Sequence, residues 1–260
     1  MSDCPAPPTT EYAIETQGLT RRFGNFVAVN NISLKIPKGQ LYGLLGLNGA
    51  GKTTTIRMLT TLLPPSSGTA KLWGHDVVRE PLAVRRLVGL VSDETSESQS
   101  TWTAREYLGY FAHIRHMPDA EREVERNLDD VGLDPKFRGK LIHTYSTGMK
   151  RRVEIARALM GRPKVLFLDE PTRGLDLPAK RDMWKLLHRL AATESVTTFL
   201  SSHDAQEIRS LCSEISVIAR GRLVHTGVTS ELGGDIDAFE EALVGMLTQS
   251  EPMEHAGLRY

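Results

Sequence analysis

The sequence predicts an α/β protein with a mostly parallel core sheet. Three observations carry that expectation. Residues 41–45 and 165–168 are short apolar runs, and 196–200 (Val-Thr-Thr-Phe-Leu) is a mostly apolar, β-branched one, as expected for strands buried on both faces. Helix-like stretches separate such runs, and parallel pairing requires crossovers of that kind. The first run passes through a glycine-rich loop directly into a helix-like stretch.

Taken in order, residues 1–10 are polar and proline-rich and read as a disordered N-terminus. Alternating residues 12–16, 27–29 and 32–36, punctuated by Gly24-Asn25, read as β-structure. After the turn at Lys38-Gly39 comes the strand 41–45, then the loop 46–51, then a helix over 52–63 stopped by Pro64-Pro65. Residues 101–161 read as mostly helical and as an insertion in the strand–helix alternation. Within them, residues 119–130 hold six acids against two arginines and read as a solvated helical face. Met149, Val153, Ala156 and Met160 put one apolar face on a later helix. Strand 165–168, helix 180–192, strand 196–200 and helix 204–211 follow, then a hairpin over 215–226 turning at Arg220-Gly221. Residues 236–247 form an amphipathic helix.

The 260 residues carry 32 basic and 32 acidic side chains, a formal charge of zero. That balance argues against a general nucleic-acid binder or a polybasic membrane anchor. No stretch approaches 18 uninterrupted apolar residues, so no transmembrane helix is expected, and the first ten residues carry no secretory signal. Forty percent hydrophobic residues supply a core. Cys4 and Cys212 form no disulfide framework and read as reduced thiols of a cytosolic protein.

Gly46-Leu47-Asn48-Gly49-Ala50-Gly51-Lys52-Thr53, followed by Thr54, matches G-x-x-x-x-G-K-[ST] at every position. Glycines let successive backbone N–H groups turn inward around phosphate oxygens, and the following helix offers its positive end to the same anion. Lys52 is placed to reach the β- and γ-phosphates, and the Thr53 hydroxyl to ligate Mg²⁺. Val165-Leu166-Phe167-Leu168-Asp169-Glu170 is a second apolar strand, ending in two acids. Strands of such sheets deliver ligand groups at their carboxyl ends. Asp169 is therefore expected to hold Mg²⁺ through water, and Glu170 to act as general base for an attacking water.

Four further segments identify the class. They are Tyr145-Ser146-Thr147-Gly148-Met149-Lys150-Arg151-Arg152, the run Pro171-Thr172-Arg173-Gly174-Leu175-Asp176, Leu200-Ser201-Ser202-His203, and Arg22-Phe23-Gly24. In order and spacing, from about residue 11 to 230, these resemble the ATP-binding cassette of ABC transporters. The resemblance implies a P-loop NTPase fold: an ABC ATPase cassette with a mostly parallel core sheet, an N-terminal antiparallel β subdomain and an inserted helical subdomain. Its expected bounds are a single domain over 11–247, with the helical subdomain at about 93–161, a C-terminal helix at 235–247 and a tail at 248–260. The implied ligands are ATP and Mg²⁺. By position, Phe23 stacks on adenine, His203 touches the γ-phosphate, and Asp176 lies in a dimer-contact loop. Ser146, Thr147 and Gly148 serve the nucleotide of a second cassette, so the working unit is a dimer, homomeric or heteromeric.

Two departures stand out. The family's Ser-Gly-Gly-Gln signature reads Ser146-Thr147-Gly148-Met149 here, and Thr147 fits only if its loop accepts a β-carbon. Asp93 stands where the family has a glutamine. Either Asp93 offers Mg²⁺ an oxygen in its place, or it is a loop acid and Glu94 or a water does so. The resemblance further implies an ATPase that energises a separate transmembrane permease from the cytoplasmic face of the membrane, with no nucleic-acid partner. The signature wording and the C-terminal helix resemble the branch serving ABC-2-type exporters. Trp102, Tyr107, Tyr110 and Phe111 are either anchors for that permease or core of the helical subdomain. Two other readings stay open: a cassette of a soluble machine, as in iron–sulfur cluster assembly, and a non-catalytic scaffold cassette.

Overall fold

A computed structural model of the chain describes residues 11–92, 101–194 and 196–249. It opens on a long hairpin. Strand β1 (Tyr12–Phe23) pairs antiparallel with β2 (Phe26–Pro37), turning at Gly24-Asn25 with Phe23 opposite Phe26. Strand β3 (Leu41–Leu45) is buried at all five positions, as its unbroken apolar run requires, and leads through the glycine loop into α1 (Lys52–Leu59). That helix stops short of residue 63. Thr61 turns left-handed at φ 64°, and Leu62 and Leu63 both donate back to the Arg57 carbonyl, closing the helix before the prolines.

The next stretch was not legible as regular structure. Strands β4 (Ser67–Leu72) and β5 (His75–Asp76) complete a four-stranded antiparallel sheet in the order β2-β1-β4-β5. Helix α2 (Pro81–Leu87) then runs straight into β6 (Val88–Val91). Between β6 and the next core strand lie α3 (Ala104–Ile114), α4 (Ala120–Asp130), α5 (Pro135–Arg138) and α6 (Thr147–Leu159). Helix α3 starts two residues later than residue 102 because Thr103 and Glu106 form a reciprocal capping box there. The acidic face of α4 is less solvated than its composition implied. The buried Arg138 guanidinium from α5 bonds Glu125 at 2.7 Å and Asp129 at 2.5 Å. The aromatics of this region divide between the two expectations. Tyr107 and Phe111 pack on the core, whereas Tyr110 is half exposed, and the four rings meet edge to face at 5.1–6.4 Å.

The core resumes with β7 (Val165–Asp169), α7 (Leu177–Glu194), β8 (Thr197–Ser202), α8 (Ala205–Leu211), β9 (Glu214–Ala219) and β10 (Arg222–Val228). Helix α9 (Ile236–Gln249) ends the described chain, two residues beyond the expected boundary. The six-stranded sheet runs β10-β9-β3-β8-β7-β6, parallel except for the terminal β9–β10 hairpin. Its two faces bury different cores. Tyr42, Leu44, Phe167 and Phe199 pack with α1 and the antiparallel sheet. Leu45, Leu166, Leu168 and Leu200 pack with the helical region and α9. This two-sided burial is why these strands lack polar alternation.

Phe167 is wholly buried, its ring centroid 5.5 Å from that of Phe199. Phe167→Ala is expected to remove about 3–5 kcal/mol of stability, read as a lower urea midpoint at unchanged slope.

Candidate functional site

Parallel pairing brings three strand ends within one residue of each other. Leu45 of β3 lies opposite Ser202 of β8, and Asp169 of β7 lies opposite Ser201. Gly46 is therefore level with His203, and Glu170 is one residue behind them, so the residues just beyond the three ends form one staggered row. Backbone bonds cross the row. Gly46 N–H donates to the Ser202 carbonyl at 3.2 Å, and Glu170 N–H to the Ser201 carbonyl at 3.1 Å.

The glycine loop is held on its inner side and open on its outer side. Gly46 is buried, while Leu47, Asn48 and Gly49 are exposed. A β-carbon on Gly46 would sit 2.4 Å from the Ile218 carbonyl oxygen, so no side chain fits. Gly51 has φ 109° and caps α1 in a conformation that L side chains rarely adopt. The β9–β10 turn braces the loop: Gly221 N–H donates to the Ala50 carbonyl, and the Gly221 carbonyl accepts from Asn30 N–H. That bracing was not foreseen, because it joins segments some 170 residues apart, and only the positive-φ pair Arg220-Gly221 hinted at a fixed turn.

Lys52 curls back over the loop. Its Nζ donates to the Gly46 carbonyl at 2.8 Å and the Leu47 carbonyl at 3.2 Å, and pairs with Glu170 Oε1 at 3.1 Å. The other oxygen of Glu170, Oε2, bonds His203 Nδ1 at 2.7 Å. Lys52, Glu170 and His203 thus form one continuous polar chain. Glu170 sits at φ 51°, a strained setting for a residue with a β-carbon. Asp169, one residue earlier, is 4% exposed and accepts from the Ser201 hydroxyl. Thr53 is exposed beside the loop, and Thr54 is partly buried. An exposed hydroxyl and an almost buried carboxylate suit an ion held mainly by phosphate and water oxygens. Among the described residues no three His, Cys, Asp or Glu side chains gather into a metal cage, so the protein by itself supplies few ligands.

The remaining expected residues lie apart from this chain. Phe23 is 47% exposed at the hairpin tip, with the Arg21 guanidinium 4.6 Å over its ring. A cavity beside the loop is walled by Phe26, Val27, Ala28, Leu47 and Asn48, and by Phe26 rather than Phe23. Ser146 caps α6, its hydroxyl accepting from Met149 N–H at 3.2 Å. Thr147 is the first helical residue and lies outside the positive-φ region, so its β-carbon is accommodated. A β-carbon on Gly148 would meet Ala179 at an ordinary 3.7 Å. Among the described residues, none of these three makes a hydrogen bond or ion pair to the Lys52–Glu170–His203 chain, and Ser146 and Thr147 face solvent. Asp176 is exposed and accepts from Ala179 N–H at the start of α7. Asp93 and Glu94 lie outside the described residues.

Comparison with known proteins agrees with this geometry. Residues 29–173, more than half of the chain, match the ABC transporter family. The daunorubicin/doxorubicin resistance ATP-binding protein DrrA of Streptomyces peucetius is 40% identical over 85% of this chain and 66% of its own length. The bacitracin transport ATP-binding protein BcrA of Bacillus licheniformis is 39% identical over 81% of this chain and 68% of its own. The chain thus spans about two thirds of the length of these relatives. Among solved structures, cbiO1 of Clostridium perfringens, part of the ABC transporter complex cbiONQ, superposes with a TM-score of 0.81 at 25% identity, covering 90% of this chain and 96% of that one. A dimeric bacterial ABC transporter cassette superposes at 0.73 and 22% identity, covering 83% and 98%, and shares the fold.

Gly46→Ala is expected to displace the loop at a strain of about 1–2 kcal/mol, about tenfold weaker binding. Titration with a fluorescent ATP analogue, against wild type, measures it.

Proposed function

This chain belongs to the ABC transporter family as an ATP-binding, ATP-hydrolysing subunit, and from that membership we propose that it powers an exporter whose membrane-spanning part is a separate, ABC-2-type permease. The names of its relatives, drug resistance and bacitracin transport, support outward transport. They do not favour a soluble machine. No helix among the described residues is long and apolar enough to cross a membrane, in keeping with a subunit that is peripheral on the cytoplasmic face and reaches the bilayer through its partner.

The contact of Glu170 with both Lys52 and His203 carries the mechanistic reading. The backbone N–H groups of 46–51 bind the β-phosphate, as their turn and the positive end of α1 favour. Lys52, freed from Glu170 by the stronger pull of the γ-phosphate, bridges the two phosphates. Glu170 then holds a water through the oxygen that Lys52 releases, and takes its proton as the water oxygen bonds to phosphorus and the bond to the β-phosphate oxygen breaks. His203 steadies the transferring group. Thr53 and Asp169 suit the Mg²⁺ that accompanies ATP, and Asp93 is an additional candidate. When bound, that ion neutralises phosphate charge. Phe26 walls the cavity beside the loop where an adenine ring would stack, and Phe23, paired with it at the hairpin tip, is the second candidate.

The solvent-facing N-terminus of α6, with Ser146, Thr147 and Gly148, supports a role at the nucleotide of a second cassette. Two such subunits closing over two nucleotides, and reopening after hydrolysis, make an element whose states ATP biases.

Glu170→Gln keeps the side chain's size but removes the proton acceptor. It is expected to bind ATP within about threefold of wild type, to hydrolyse it at least about a hundredfold more slowly, and to accumulate as an ATP-dependent dimer on size exclusion. Undiminished phosphate release would overturn the assignment.

A further inference from the structure

His203 poses a problem of placement. Its side chain is 46% exposed, and among the described residues Glu170 is the one hydrogen-bond partner of its ring. Packing does not hold such a ring, so its direction depends on the backbone that carries it. That backbone is anchored from behind by Glu207, a residue with no part in the mechanism so far.

Glu207 lies one turn into α8 and is 1% exposed. Its Oε2 accepts from the Ser202 hydroxyl at 2.5 Å, and that hydroxyl oxygen accepts from Asp204 N–H at 3.1 Å. Its own N–H donates to Asp204 Oδ1 at 3.1 Å, and Asp204 is further held by Lys180 at 2.8 Å. One neighbour of His203, Ser202, is therefore bonded to the Glu207 carboxyl, and the other, Asp204, is linked to it through the Ser202 hydroxyl and to Glu207 through the backbone N–H. The other oxygen of Glu207, Oε1, has no partner at bonding distance, although the Thr172 hydroxyl acts on it from further away. Thr172 is itself buried and lies two residues after Glu170. Burial holds the pKa of Glu207 above the usual carboxylate range, the two hydroxyls oppose that, and the charges of Asp204 and Glu170 add to it.

We infer that Glu207 is a positioning residue for ATP hydrolysis: through Ser202 and Asp204 it sets the angle at which His203 meets Glu170 and the γ-phosphate. The inference rests on reading Glu170 and His203 as the hydrolytic pair.

The test uses the full chain with four variants. Glu207→Ala and Ser202→Ala should lower kcat between about 10- and 100-fold, the scale of a misplaced group, with ATP affinity unchanged. Glu207→Gln keeps the acceptor for Ser202 and should restore kcat to within about threefold of wild type. In histidine-labelled protein, the side-chain NMR resonance of His203, assigned by its loss in His203→Ala, should move in the two alanine variants and return in Glu207→Gln. A structural role alone would lower thermal stability without shifting that resonance selectively. If Glu207→Ala does not fold, Ser202→Ala, a smaller change, decides alone. Wild-type kcat in a folded alanine variant, or a glutamine variant no better than alanine, would overturn the inference. Glu170→Gln run alongside separates the two failures: if it still hydrolyses ATP, the hydrolytic pair itself is misassigned.

Discussion

The site depends on β3, β7 and β8 ending within one residue of each other. Parallel strands in register place residues of equal rank side by side, so the first residues past the ends of three different strands become neighbours. Gly46 lies more than a hundred residues before Glu170 and His203, yet the three meet because Leu45 faces Ser202 and Asp169 faces Ser201. A slip of one residue would turn every buried side chain of the shifted strand to the opposite face and separate its two cores. The apolar packing that fixes the register therefore also fixes the chemistry.

Within that row the charges are arranged around one acid. Glu170 balances buried Lys52 on one side and bonds His203 on the other, in a left-handed backbone setting. A buried ammonium without a partner would be strongly unfavourable, so in the nucleotide-free chain Glu170 serves as counter-ion. Under the proposed mechanism, a phosphate arriving at the loop takes over that role and frees the acid for a water, which links binding to activation by charge competition.

Much of this was legible before any coordinates. The strand–loop–helix at 41–52, the acids at the end of 165–168, and the hairpin at 215–226 all follow from apolar runs and turn residues, whose signals are local. Strands β4 and β5 escaped notice because their residues, Ser67, Gly68, Thr69 and Lys71 among them, are weakly apolar and become strands only by pairing with β1. The first helix was read too long because a left-handed threonine, rather than the following prolines, ends it. Ser202 and Glu207 were passed over for a different reason. A serine before a histidine and a glutamate in the following helix carry no periodic signal, and their importance lies in burial.

By itself, the sequence determined the glycine loop and the two acids closing the strand 165–168, since each is a set of residue types at fixed local spacing, while the second-cassette role of 146–148 came from resemblance. It also settled that Thr147 departs from the common signature, though not whether that departure is tolerated. The tertiary structure decided that it is, by making Thr147 an ordinary first residue of α6. It likewise decided that Lys52, Glu170 and His203 touch, that the β9–β10 turn braces the glycine loop, and that Glu207 stands behind His203. Those facts depend on strand register and on which atoms lose contact with water. Both are properties of the packed sheet, set by contacts between residues far apart in the chain, and no local pattern encodes them.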